Sequence, residues 1–398
     1  MEEIVTLLAG VAQPSPTPWV IFDPRAVAFL CDLSADLLRT PEARAQDVAA
    51  AFGFWRRPAH LQALARRHAS PVPRLGRGLV FHVAPSNVPA LFGYTMAIGL
   101  LADNANVVRA SSHRGEADAV LLARLAQVLD RPEHGQVRER LSIVTYGRDN
   151  GVTAAYCARC DGRVVWGGDA TVAALRAMPM PPHAVEFSFP DRWSLALFSQ
   201  AAFSAMDGEE LAVQARRFYN DTYQMDQNAC SCPHLVLWLE DGGTPDCRAR
   251  WWRTVAEQVV RCYDLGFYQA ARKKETLCRL AMTMDTPPIA SVEQYEGNRL
   301  YVACLDRLPA DPTGLRGRFG LFFQSAVSGW EALLSLLSPK VQTLVCGGIE
   351  PEPLARYLAE RGAGGVDRVV RLGQALEMDT IWDGKDLIAG LSRSIEFG

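Results

Sequence analysis

The chain has 398 residues, 49% of them hydrophobic, with 41 Lys and Arg against 44 Asp and Glu for a net charge of −3. Mean hydropathy is −0.01 and the pI is about 6.2. This balance gives apolar content enough for two globular domains, and lacks the basic excess or basic run of a nucleic-acid or membrane-surface binder. The opening MEEIVTLLAG has no positive stretch ahead of a cleavable apolar one, so no export signal is read and the cytoplasm is the expected location. The longest apolar run, Pro89 to Ala102, has 14 residues, short for a membrane span and suited to a buried helix.

In chain order, the stretch up to about residue 75 reads as helices with Pro-rich joints: Pro24 to Leu38, Pro41 into Phe54, and Pro58 to His68. From Gly78 the texture becomes that of alternating strands and helices. Strands are expected at Leu79 to Ala84, Asn106 to Arg109, Leu141 to Tyr146 and Gly162 to Trp166. Helices are expected from Pro89 to Leu101, Asp118 to Leu129, Gly151 to Arg159 and Ala170 to Met178. Such alternation implies parallel βαβ units with ligands at the carboxyl ends of the strands, although GxGxxG is absent. A second block opens near Val185, with strands at Trp193–Phe198 and His234–Leu239 and helices at Gly208–Arg217, Arg248–Tyr263 and Phe267–Arg279. Pro287-Pro288 and Asp311-Pro312-Thr313-Gly314 are candidate hinges or surface loops. The C-terminal part adds a strand over 341–346, a helix over 351–361 and a strand over 366–371.

Ten cysteines are too dilute for a disulfide scaffold, and the seven histidines are scattered singly, so no metal site is read. Cys157 and Cys160 lie in an apolar helical stretch and are expected to be buried thiols. Four segments carry chemistry. Asp226-Gln227-Asn228-Ala229-Cys230-Ser231-Cys232 precedes a buried strand, where a thiol is either a reachable, rigidly held nucleophile or merely a small loop residue. Asn87, between Pro85 and Pro89, has a carboxamide suited to steadying an oxyanion or to capping the helix that follows. Arg109, Ser111 and Ser112 end a strand with a cation and hydroxyls, suited to a ribose or phosphate or to solvent. In Trp166-Gly167-Gly168-Asp169 the glycines let a pyrophosphate approach a helix N-terminus, with Asp169 as N-cap.

Taken in order, Pro-Ser-Asn-Val-Pro, Asn-Val-Val-Arg-Ala-Ser, Trp-Gly-Gly-Asp and Asp-Gln-Asn-Ala-Cys resemble the aldehyde dehydrogenase superfamily. More narrowly they resemble its acyl-thioester reductase branch, the LuxC-type fatty acid reductases. Val341-Gln342-Thr343-Leu344, Gly365 to Val370, Gly373-Gln374-Ala375 and Ile381-Trp382-Asp383-Gly384 extend the resemblance over residues 76 to 396. It implies an α/β fold: a Rossmann-type parallel-sheet cofactor domain with N-terminal helices (1–186), a second α/β catalytic domain (187–372), and a C-terminal segment (373–398) returning to the cofactor domain or a subunit interface.

On these residues the resemblance implies Cys230 as nucleophile in preference to Cys232, and an oxyanion hole from the Asn87 side chain and the Cys230 N–H. It implies a dinucleotide held by Ala84, Pro85, Ser86, Arg109, Ser111, Ser112, Gly167, Gly168 and Asp169. Arg109 and Arg114, with no acid before Glu116, favour NADPH, NADH being the alternative. The expected activity is reduction of an acyl thioester, from acyl-CoA or an acyl-carrier protein, to an aldehyde. A homo-oligomer and an acyl-activating partner enzyme are expected alongside. An oxidising NAD-linked aldehyde dehydrogenase and a non-reducing acyl-transfer or scaffold subunit are the rival functions. The chain departs from the superfamily pattern in three places. Glu186 is the candidate general base but lacks the usual diglycine after it. Gly317-Arg318-Phe319-Gly320 stands where a Glu commonly anchors the nicotinamide ribose. The region ahead of Asn87 is short.

Overall fold

A computed structural model describes residues 5–85, 88–147, 150–283 and 289–398; the Pro287-Pro288 joint lies outside them. The chain divides into two units, Met1–Asp191 with Met378–Gly398, and Arg192–Glu377. The C-terminal 21-odd residues therefore belong to the first unit.

In the first unit, β1 is Thr6–Gly10, β2 Arg74–Gly76, β3 Leu79–Val83, β4 Ala105–Arg109, β5 Leu141–Thr145, β6 Gly162–Trp166 and β7 Val185–Phe189. The main sheet runs β1-β5-β4-β3-β6-β7, with β1 antiparallel to β5 and every other pair parallel. The parallel strands read as near-continuous apolar runs because helices cover both faces. The helix Leu91–Leu101 is buried all round, which is why its sequence has no polar face. Gly99 lets it lie on the sheet, since a Cβ there would come 1.9 Å from the Asn106 Oδ1. From β3 the chain steps to β4 and β5 on one side and then returns to β6 on the other, so a crevice opens at the carboxyl end of β3. Val185–Phe189 pairs with β6 and completes this sheet, whereas the sequence pattern starts the second block there. The edge strand β1 was not expected, because its partner lies more than 130 residues away and no local pattern announces the pairing.

In the second unit, β8 is Trp193–Ser199, β9 Pro233–Leu239, β10 Ile289–Tyr295, β11 Leu300–Leu305, β12 Leu321–Val327, β13 Val341–Gly347 and β14 Arg368–Arg371. They form one sheet in the order β10-β11-β12-β9-β8-β13-β14. The strands β10 to β12 have no counterpart in the sequence reading. Between β11 and β12 only a 3-10 turn, Pro312–Gly314, intervenes, so the strand–helix alternation that marks the other units is missing. Beneath the sheet, Phe198, Phe203, Phe218, Trp238, Trp251 and Trp252 are fully buried, so this aromatic content is core. The indoles of Trp238 and Trp252 both donate to Gln324 Oε1, at 3.0 and 2.8 Å. Among the described residues no helix is long and apolar enough to cross a membrane.

Asp103, in the turn before β4, is 1% exposed and accepts from the Asp23 N–H at 2.7 Å. Burial pushes its carboxyl up to about 8, against that hydrogen bond and the nearby Arg140. The folded chain thus holds a proton that the unfolded chain releases near 3.8. Stability contributed by the neutral acid is present at low pH and is lost as pH rises toward 8. Asp103→Asn keeps the acceptor and cannot ionise. Its melting temperature relative to the parent is expected to rise by roughly 2 °C or more between about pH 5 and pH 8; thermal melts with the same pH slope in both proteins contradict this.

Candidate active site

In the first unit those predicted cofactor residues that are described lie at the carboxyl ends of β3, β4 and β6. The crevice is stiffened from below by His82, fully buried, whose Nδ1 lies 2.7 Å from Thr95 Oγ1 and whose Nε2 lies 2.9 Å from Asn106 Oδ1. Burial lowers this imidazole to about 4, so it is neutral. Ala84 follows β3 and donates its N–H to the Arg109 carbonyl at 3.2 Å. Ser86 and Asn87 lie outside the described residues. Arg109 closes β4 with its guanidinium 4.7 Å over the Tyr146 ring and Nη2 donating to the Gly147 carbonyl at 3.0 Å. Its Nε is buried without a hydrogen-bond partner among the described residues. Ser111 Oγ accepts from the His113 N–H at 3.1 Å, and Arg114 donates to the Ser111 carbonyl at 2.7 Å. Ser112 is exposed, 3.3 Å from His113 Nδ1.

After β6, Gly167 donates to the Phe189 carbonyl at 3.2 Å. The helix Asp169–Arg176 is capped by Gly168, not by Asp169. The Asp169 carboxylate instead accepts from the Asp191 N–H at 3.2 Å, which draws it into the helix and away from the cap position. A Cβ on Gly168 would meet nothing within 4 Å, so the helix start is open. An orphaned guanidinium N–H, two hydroxyls and an open helix N-terminus at a switch-point crevice fit the ribose and pyrophosphate of a dinucleotide.

Glu186, the sequence candidate for a general base, lies on β7 between two arginines. Arg163 donates Nε to its Oε2 at 2.9 Å and Nη2 to the same oxygen, while Arg176 donates Nε to Oε1 at 2.9 Å. Burial works against ionisation, but the hydrogen bonds from Arg176 and Arg163 outweigh it and hold the carboxyl below its ordinary value. A carboxylate tied up in this way is a weak base. Arg163 also donates to Cys157 Sγ at 3.2 Å, and Cys160 is buried with its thiol pushed up to about 12 by burial, so both thiols are structural. Side-chain exposures of 2% for Arg163 and 16% for Glu186 make this a buried pair. Glu186→Ala is expected to cost about 3 kcal/mol in chemical denaturation; a loss below about 1 kcal/mol would make the pair incidental.

In the second unit the segment of the candidate nucleophile turns sharply between the helix Gly208–Thr222 and β9. Asp226 and Gln227 both take left-handed backbone, φ 51° and 56°. Gln227 is 1% exposed and uses both ends of its carboxamide: Nε2 donates to the Leu321 carbonyl at 3.1 Å, and Oε1 accepts from the Gly320 N–H at 2.8 Å. The Asp226 carbonyl accepts from the Phe319 N–H at 3.3 Å, and its carboxylate accepts from the Tyr263 hydroxyl. Gly317-Arg318-Phe319-Gly320 is thus the turn that grips the nucleophile loop. Gly320 at φ 85° has no room for a side chain, since a Cβ would lie 2.3 Å from the Arg299 carbonyl.

Cys230 is half-buried, and the Ser194 hydroxyl donates to its carbonyl at 2.6 Å. Cys232 is fully buried, and burial raises its thiol far above the ordinary range. Of these two thiols, that of Cys230 is the more exposed. His234 is buried against Trp193, with ring centroids 6.4 Å apart. Burial first, and Arg316 second, lower its imidazole to about 3. It is neutral and a poor proton acceptor. Behind the loop, the Asp221 carboxyl accepts from the N–H groups of Gly373 and Ala375 at 2.6 and 2.9 Å, which explains the Gly373-Gln374-Ala375 motif as a staple. Gln227, Ser194 and Asp221 were not singled out from sequence. Gln227, three residues before the predicted nucleophile, lay within the motif but was given no role of its own.

A family model described as acyl-CoA reductase (LuxC) matches residues 54–249. No curated protein matches the chain. Among solved structures, the fold is similar to lactaldehyde dehydrogenase from Escherichia coli, with TM-score 0.62 at 13% identity over 93% of this chain and 84% of that one. PnpE in complex with nicotinamide adenine dinucleotide is similar at TM-score 0.62, 13% identity, 93% and 84% coverage. The NAD-dependent benzaldehyde dehydrogenase from Corynebacterium glutamicum is similar at TM-score 0.59, 13% identity, 93% and 82% coverage. Residues 54–249, which carry both Asn87 and Cys230, thus match the acyl-CoA reductase (LuxC) family, on the fold of the aldehyde dehydrogenase superfamily that the motifs imply.

Proposed function

We propose that this chain reduces an acyl thioester of CoA or of a carrier protein to an aldehyde, with NADPH, through a covalent acyl group on Cys230. The observation that carries this is the clamped turn at Asp226–Cys230, which leaves one thiol half-exposed while its neighbour Cys232 is sealed in the core. The family match over both Asn87 and Cys230 supports the same chemistry. The Cys230 thiolate attacks the thioester carbonyl carbon; a C–S bond to Cys230 forms as the carrier's C–S bond breaks, and the carrier leaves as a thiolate that takes a proton from water. The Asn87 carboxamide and the Cys230 N–H steady the oxyanion meanwhile. A bound nicotinamide supplies the hydride that takes the acyl group to the aldehyde oxidation level. Cys230 then departs from the resulting thiohemiacetal as thiolate, and the aldehyde is free.

Glu186 bears on the direction of reaction. Hydrolysis of an acyl-enzyme needs a base to activate water, and this carboxylate is already committed to Arg163 and Arg176. That favours reduction over oxidation to the acid. For the cofactor, Arg109 and Arg114 flank Ser111 and Ser112 with no carboxylate between them, a setting that favours a 2′-phosphate.

Two experiments test the proposal. Intact-mass spectrometry after mixing with acyl-CoAs or acyl-carrier proteins is expected to show an acyl adduct on Cys230 that NADPH discharges as aldehyde. Cys230→Ala is expected to give no adduct, and Asn87→Ala a rate about 10²–10³ lower. Acylation at another residue, or release of free acid with no NADPH consumed, refutes the proposal. Separately, Ser112→Glu is expected to lower kcat/KM for NADPH about tenfold or more while sparing NADH, because it sets a carboxylate against the 2′-phosphate. Equal effects on the two cofactors would remove Ser112 from the ribose site.

A further inference from the structure

We infer that Ser194 is a positioning residue for the Cys230 nucleophile; the inference rests on the role proposed for Cys230. Ser194 is fully buried at the start of β8, between β9 and β13. The backbone ladder is broken on both sides of it. Toward β9 the pairing passes from Ser194↔Pro233 to Leu195↔Leu235, and toward β13 from Trp193↔Val341 to Leu195↔Leu344. Each neighbour therefore carries an extra residue opposite Ser194, and groups that a regular strand would pair are left over.

The Ser194 hydroxyl serves one such group on β13 and one just ahead of β9. It accepts from the Thr343 N–H at 3.1 Å and donates to the Cys230 carbonyl at 2.6 Å. A serine hydroxyl has one proton to give, and here it goes to the carbonyl of the nucleophile itself. Fixing that carbonyl sets ψ of Cys230, and so the direction in which its Cα–Cβ bond presents the sulfur. Gln227 secures the loop three residues earlier, but nothing in its contacts sets the orientation of the peptide after Cys230. An alanine at 194 would leave a buried carbonyl and a buried N–H to find water or to shift, and the peptide beyond Cys230 would lose this restraint.

The test is Ser194→Ala in the full-length chain, with Ser194→Thr as the hydroxyl-retaining control and Cys230→Ala as background. The background is needed because Cys262 and Cys278 are exposed thiols. Three quantities are read: the rate of Cys230 alkylation by iodoacetamide, located by peptide mass; kcat and KM with an acyl-CoA; and the melting temperature. Ser194→Ala is expected to slow Cys230 alkylation and kcat about tenfold each, with KM within about twofold. Ser194→Thr is expected to stay within about threefold of the parent in both. A folded Ser194→Ala protein with parental alkylation and kcat overturns the inference, as does an equal loss in the Ala and Thr variants. Should Ser194→Ala fail to fold, Ser194→Cys, close in volume and a weaker donor, carries the same expectation of a slowed Cys230. Turnover that survives in Cys230→Ala would instead overturn the role of Cys230, leaving the effect of Ser194 on the loop to be read from alkylation alone.

Discussion

Two consecutive non-glycine residues, Asp226 and Gln227, hold left-handed backbone just before the proposed nucleophile, at about 1–2 kcal/mol each. The carboxamide of Gln227 offsets that cost by lending its donor to Leu321 and its acceptor to Gly320, inside a site that water does not reach. Cys230 depends on this clamp for its place at the protein surface. Without it the chain could straighten toward β9, and the alternation of β9 would bring residue 230 into line with Cys232 inside the core. The left-handed turn is what separates a half-exposed thiol from a sealed one two residues away. The same clamp accounts for the glycine at 320, whose own left-handed φ and lack of side-chain space allow its N–H to face Gln227.

The two units use buried polar groups in the same way, to lock elements that carry chemistry. In the second, Asp221 ties the helix before the nucleophile to the Gly373–Ala375 turn, and burial raises its carboxyl to about 7 even though it accepts two N–H bonds. In the first, His82 joins β3 to β4 through Asn106 and to the buried helix through Thr95, and Glu186 joins β7 to β6 through Arg163. Burial keeps His82 neutral and two arginines keep Glu186 ionised, and the shared effect of these hydrogen-bonded groups is rigidity. A polar residue near a site is thus better judged by what it is bonded to than by its type.

Most of the first sheet was legible in the sequence. Strands β3 to β6 are short apolar runs separated by helices with clear starts, and both faces of the sheet are covered, so composition and spacing agree. Legibility failed where that alternation failed. Strand β1 pairs across most of the unit, and β11 and β12 are linked by a crossover with no α-helix. The helix cap after β6 shifted by one residue because the Asp169 side chain found a partner in the Asp191 backbone, a contact that no local rule announces. Val185–Phe189 was read as the opening of the second block and not as a strand of the first sheet, since five residues of alternating apolar and polar type do not specify their neighbour.

The order of Pro-Ser-Asn-Val-Pro, Trp-Gly-Gly-Asp and Asp-Gln-Asn-Ala-Cys along the chain was enough, through the resemblance it carries, to indicate the fold class and to single out Cys230 as the candidate nucleophile, because short motifs in a fixed order are read without knowing what packs against them. The tertiary structure alone decided which groups restrain the thiol. The hydroxyl that meets the Cys230 carbonyl comes from a strand 36 positions earlier in the chain, and the turn that grips Gln227 lies about 90 positions later. Hydrogen bonds of that range depend on register and bulges within a sheet, and these are set when strands pack together, not by the residues of any one segment. The setting of Glu186 was likewise decided by packing: its partners Arg163 and Arg176 come from the preceding strand and helix, and only the fold brings them to its carboxylate.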